Sequence, residues 1–264
     1  MSGQSSRENR RRAIEQARQA EARRKRRLRM ALVGGAIVVV AAAGTGIGLG
    51  VSGGGSGSGA SGSGATAAPP ADYLPISTLG TLAAAPAPGA MGPENVPIPS
   101  VSALTGTSTK ATGQAVDGIS CQTSEQTLFH IHTHLTIFVN GQQRQVPAGI
   151  GIPGAVAEQT ATGPFIDSGT CFYWLHTHAA DGIIHIESPV QRTYTLGEFF
   201  DEWGQPLRAD QAGPAKGKVT VLVNGKVFTG DPRDVPLGSH ENLQLDVGTP
   251  LIAPVSIDWS GTGL

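Results

Sequence analysis

The sequence predicts an α+β protein, mainly β, with one short helix and an extra N-terminal hairpin, preceded by a single transmembrane helix and a disordered linker. Three observations predict it. An uncharged run of 21 residues, "ALVGGAIVVVAAAGTGIGLGV", spans 31–51 behind a basic tail. A Gly/Ser/Ala/Pro-rich stretch then extends to about residue 117. Beyond it come period-two apolar runs broken by Asn-Gly dipeptides, the mark of strands joined by tight turns.

The 264 residues include 37 Gly and 18 Pro, too many for one compact domain, so part of the chain is expected to lack structure. The net charge of −1 hides an asymmetry. Residues 1–30 hold 11 Lys/Arg and 3 acids (+8), and the other 234 residues hold 8 and 17 (−9). Arg outnumbers Lys 14 to 5, a composition that points to a high-GC bacterium.

The tail, 1–30, is a possible helix with Ser5 and Glu8 as a capping box. It sits beside the apolar run, where it reads as an orientation signal touching anionic lipid rather than as a nucleic-acid arm. As a helix, 31–51 is long enough to cross a bilayer core of roughly 30 Å. Basic residues on its N-terminal side place the N-terminus in the cytoplasm and the rest outside a cell membrane crossed once. A cleaved signal peptide is the alternative, and both readings export residues 52–264. Gly44 with Gly48, and Gly46 with Gly50, have the spacing of packed membrane helices. Residues 52–117 read as a flexible, then Pro-rich, disordered tether that holds the domain off the membrane, through a cell-wall layer.

The domain, 118–264, opens near Cys121, and Cys171 is the other cysteine. In an exported domain the two are expected to pair, closing a loop that stabilises by about 4 kcal/mol. The alternative is two thiolate metal ligands. "LFHIHTHLTIFVNGQQRQVPAG" reads as a hairpin turning at Asn140-Gly141. "CFYWLHTHAADGIIHIE" reads as a second, turning at Asp181-Gly182. "TLGEFFDEWG" is a short helix capped by Thr195, with Glu198 three residues on and Gly204 as its stop. "KVTVLVNGKVF" is a third hairpin, "ENLQLDVG" a last strand, and 249–264 a further edge. Hairpin, helix, then further strands in 171–248 resembles the β-grasp (ubiquitin-like) order of elements, which implies a β-grasp-like sheet to which the 128–150 hairpin is an addition.

Six of the seven histidines fall in two alternating runs. Alternate strand residues share a face, so His130, His132 and His134 line one side of their strand. A two-residue turn at Asp181-Gly182 pairs His178 with His185 and His176 with Glu187, placing these four on one face too. Imidazoles crowded on a sheet resist protonation and need partners. A metal ion accepts several neutral lone pairs at once. All-imidazole sites suit Zn or Cu. Glu187 and Asp181 are candidates to orient imidazole N–H groups; alternatively Asp181 only makes the turn and Glu187 is a solvated strand residue. "YWLHTHAADGIIHI" resembles the Tyr-Trp-x-His-x-His stretch of multicopper oxidases. That resemblance implies a style of ligation and not oxidase activity, because the Cys-His motif and repeated cupredoxin domains are missing.

The leading reading is therefore a membrane-anchored extracellular domain that binds Zn or Cu for sensing, buffering or transfer to an unknown metal-transfer or cell-wall partner. One alternative is a metal-dependent hydrolytic or redox enzyme with Glu187 as general base, although no His-Glu-x-x-His, Ser-His-Asp or Cys-His set is present. The other is a β-rich interaction module whose histidine cluster responds to pH.

Overall fold

The computed structural model describes residues 73–107 and 112–264. The basic tail, the apolar run 31–51 and the linker as far as residue 72 lie outside the described residues. Among the described residues no helix is long and apolar enough to cross a membrane, so the predicted transmembrane helix is not shown. What is shown is a mainly β structure with one short α-helix.

The main sheet has eight strands: β1 (Tyr73–Leu74), β2 (Phe129–Val139), β3 (Gln142–Arg144), β4 (Leu175–His176), β5 (Ile183–Ser188), β6 (Val219–Val223), β7 (Lys226–Phe228) and β8 (Glu241–Val247). Their order is β1-β7-β6-β8-β2-β5-β4, with β3 also pairing β2. This corrects the expected β-grasp-like sheet over 171–248. The hairpin 128–150 is no addition, because β2 is its longest described strand, running parallel to β8 and antiparallel to β5. Both faces of β2 are buried: Leu135 and Ile137 on one, His132, His134, Thr136 and Phe138 on the other. A strand that must hide both faces belongs in the middle of a sheet. The stretch expected to supply the first grasp strand, 171–178, contributes only the two-residue edge strand β4 to this sheet.

Local signals hold where the turn chemistry is strong. Asn140 and Gly141 have φ of 50° and 75°, and Asn224 and Gly225 49° and 75°, the left-handed conformations that a two-residue hairpin turn requires. Helix α1 (Leu196–Glu202) starts at Thr195, whose hydroxyl accepts the Glu198 N–H while the Glu198 carboxylate accepts the Thr195 N–H. Its Leu196, Phe199 and Phe200, with Trp203 beyond its end, join Leu135, Ile137, Ile184, Ile186 and Leu245 in the main core.

One side chain of α1 works against this core. Glu202 is 0% exposed and neither carboxyl oxygen has a well-formed hydrogen bond. Burial first, then the nearby Glu198 and Asp117 carboxylates, push its acid well above the usual range; the Leu175 backbone relieves this only in part. Folding then takes up a proton that the unfolded chain has released above pH ~4.5, so Glu202 costs stability as pH rises. Glu202→Met is expected to stabilise the protein at pH 7 by more than about 1 kcal/mol, with a gain that shrinks below pH ~4.5. Chemical denaturation at the two pH values checks both halves of this expectation.

The second face of the sheet is closed by chain that the sequence assigns to linker and edge. Asp246 accepts the Ile252 N–H at 3.1 Å and Gln244 the Val255 N–H at 2.9 Å, which fixes the 249–257 segment across β8. Ala83 donates to Leu251 O and accepts from Ala253 N–H, both at 2.8 Å. Residues 73–107, read from sequence as part of a disordered linker, are thus ordered, and Val96 is fully buried. Proline leaves such a chain few amides; the C-terminal segment takes that of Ala83, and Gln145 O takes that of Leu104. A tight turn, with the Gly92 N–H bonded to Val96 O at 2.8 Å, presents Glu94 to the sheet.

Candidate metal centre

Strand register builds the site. Across β2 and β5, His130 faces Glu187, His132 faces His185, and His134 faces Ile183; across β4 and β5, His176 faces His185. Directly opposed residues share a face, so His130, His132, His176, His185 and Glu187 converge. Ring centroids lie 4.6 Å apart for His132–His185 and 5.4 Å for His176–His185.

His178 arrives by another route. Its expected pairing with His185, and that of His176 with Glu187, are corrected: the register is two residues away, and His178 lies beyond the end of β4. Thr177 donates its N–H to Ile150 O at 3.1 Å and accepts the Gly149 N–H at 2.8 Å. The His178 carbonyl accepts the Ile166 N–H at 2.9 Å. These bonds draw residues 177–178 out of the hairpin, yet leave the His178 ring 4.5 Å from that of His185.

Backbone carbonyls decide where the lone pairs point. His176 Nδ1 donates to Tyr173 O at 2.8 Å, and His178 Nδ1 donates to Ile166 O at 2.6 Å. In the neutral rings both Nε2 atoms are then lone-pair acceptors, and they face each other at 3.1 Å. His130 and His132 make a matching pair, with Nε2 atoms 3.0 Å apart and Glu187 Oε1 3.0 Å from that of His130. His185 lies between the pairs. Its Nε2 is 2.7 Å from Glu94 Oε1, and its Nδ1, buried and without a hydrogen bond, lies 3.4 Å from Glu187 Oε1. Glu125 Oε1 stands 3.5 Å from His178 Nε2.

Burial dominates the electrostatics. It lowers His176 to about 4 and His178 well below the usual imidazole value, with the neighbouring imidazoles adding to the effect. His132 is lowered for the same reasons. These rings stay neutral in mild acid and keep their lone pairs. Burial works against a charged His185 as well, but the carboxylates of Glu94 and Glu187 outweigh it and raise that ring to about 10. Glu187 is held below the ordinary carboxylate range by His130 and His185 despite its burial. Burial and the Glu187 charge push Glu125 up to about 7.

Two sets of ligand atoms result, each within 4.8 Å: His130, His132, His185 and Glu187, and His176, His178, His185 and Glu187. Such a cluster could hold a metal ion. The chain matches no protein-family model, no curated protein and no solved structure. The geometry therefore stands alone as the guide to function.

Five of the six predicted histidines meet, and His134 does not. Its Nε2 donates to Asp181 O at 3.0 Å, and it lines a cavity of about 310 Å³ with Asp181 and Arg144. Asp181 takes the turn-making role, with Oδ1 accepting the Ile183 N–H at 3.1 Å. Burial and the neighbouring Glu94 hold its carboxyl well above the ordinary range. Glu187, read as either an orienting partner or a solvated residue, is buried inside both sets. Cys121 and Cys171 form a disulfide, which removes the thiolate alternative. Sequence reasoning missed Glu94 and Glu125. Glu94 lies 91 residues before His185, and no local pattern marks it. Glu125 follows Cys121 by four residues, and the disulfide joins that segment to the strand leading into His176.

Proposed function

We propose that this protein captures a divalent transition-metal ion, Zn²⁺ or Cu²⁺, to buffer it or hand it on in an oxidising compartment. The observation that carries the reading is the facing pair of lone pairs on His176 and His178, 3.1 Å apart with both Nδ1 atoms committed to carbonyls. Two lone pairs at that distance repel each other, and burial discourages the proton that would relieve them. A cation relieves them and is charge-matched by the buried Glu187. Imidazole donors favour Zn²⁺ and Cu²⁺ over the oxygen-seeking Ca²⁺ and Mg²⁺. His130, 28% exposed, gives the ion a side from which to enter and leave, which suits exchange. The disulfide supports the oxidising location.

The test is titration of the full chain, stripped with chelator, with Zn²⁺, Cu²⁺, Ca²⁺ and Mg²⁺ at neutral pH. Zn²⁺ or Cu²⁺ is expected to bind and to stabilise the fold by about 4 kcal/mol when the free ion is about 1,000 times Kd, with no such effect from Ca²⁺ or Mg²⁺. Absence of both calorimetric binding and a thermal shift with either transition metal would overturn the reading.

A further inference from the structure

The two ligand sets share His185 and Glu187 and differ in the histidine pair that completes them. We propose, building on the metal-binding reading above, that the centre holds two ions side by side, one on His130 and His132 and the other on His176 and His178, with the Glu187 carboxylate bridging them.

Spacing is the first support. An ion with metal–nitrogen bonds of about 2.0–2.1 Å in tetrahedral geometry sets neighbouring nitrogens about 3.3 Å apart. The two Nε2–Nε2 separations, 3.0 and 3.1 Å, each approach one edge of such a shell. A single six-coordinate ion with similar bonds would hold all its ligand atoms within about 4.2 Å. Among the described residues, no set drawn at the wider limit of 4.8 Å contains both pairs. One ion therefore serves one pair and leaves the other with its nitrogens in opposition.

The carboxylates divide in the same way. Glu187 Oε1 lies beside the first pair, 3.0 Å from His130 Nε2, while Glu187 Oε2 is buried with no partner. An ionised carboxylate has acceptor capacity on both oxygens, and bridging two cations uses both. Glu125 stands beside the second pair, 3.5 Å from His178 Nε2. Glu94 accepts from His185 Nε2, so the proton that an ion displaces from this ring is the one on Nδ1, which faces Glu187 Oε1 at 3.4 Å. A carboxylate that fixes the tautomer of a ligating imidazole in this way strengthens the ligand.

The test loads the stripped full chain with whichever of Zn²⁺ and Cu²⁺ binds more tightly, dialyses it and counts metal per chain. Two equivalents are expected, together with a metal–metal vector at roughly 3.5–4 Å in X-ray absorption. The double variants His130→Ala/His132→Ala and His176→Ala/His178→Ala are each expected to keep one equivalent and lose the vector. One equivalent in the unmodified protein, or two without the vector, overturns the two-ion centre and leaves metal capture standing. No bound metal overturns both. The unmodified chain decides the matter even where a double variant fails to fold.

Discussion

Replacing His185 with alanine is expected to weaken Zn²⁺ or Cu²⁺ binding by more than about 100-fold, beyond the 10–100-fold that loss of an orienting partner costs. His185 belongs to both ligand sets and is the imidazole through which β2 and β4 meet on β5. Its removal also leaves Glu94 and Glu187 facing each other without the ring that separates them, so the fold of the stripped variant is checked by circular dichroism. His134→Ala is the control. His134 lies on the same strand and the same face as His132, yet bonds to Asp181 O and joins neither set. Competition against a chromophoric chelator should show a change within a few-fold for that variant. Equal damage from both substitutions would mean that the ligands are wrongly assigned.

The second large effect concerns the disulfide. Cys121 and Cys171 are 50 residues apart, and the loop-closure model assigns such a link about 4 kcal/mol. In a protein of this size that corresponds to a fall in Tm of roughly 8–16 °C on reduction, or in the Cys121→Ala/Cys171→Ala variant. The link also holds the short ladder in which Cys121 pairs with Tyr173 and Gln122 with Phe172. Glu125 follows one of these strands and His176 and His178 the other. Reduction should therefore weaken metal binding as well as lower Tm, read by differential scanning calorimetry with and without Zn²⁺. A Tm unchanged by reduction would show that the surrounding packing already fixes this corner.

Short-range patterns in the sequence foretold the parts of the fold that short-range physics controls. Asn-Gly turns, the Thr195–Glu198 capping box and the alternation of His130, His132 and His134 each depend on residues within a few positions. What went unread depends on distance along the chain. The parallel pairing of β2 with β8 joins residues more than a hundred positions apart, and it moves the first hairpin from the margin of the sheet to its middle. The two-residue slip at β4 is set by Thr177 bonding to Gly149 and Ile150, which no hairpin pattern contains. Glu94 was invisible because a Pro-rich stretch reads as tether unless something donates to it, and here the donors and acceptors sit at Leu251 and Ala253.

The central parallel ladder also sets a timetable. The centre draws on Glu94, on β2 near residue 130 and on β5 near 187, yet β2 gains its parallel neighbour only once residues 241–247 exist. During synthesis, the strand that carries His130 and His132 thus gains this second neighbour more than a hundred residues after it is made. A topology so dependent on distant pairings favours slow folding. On the proposed reading, an ion would lock this pocket only after strands so far apart along the chain have met.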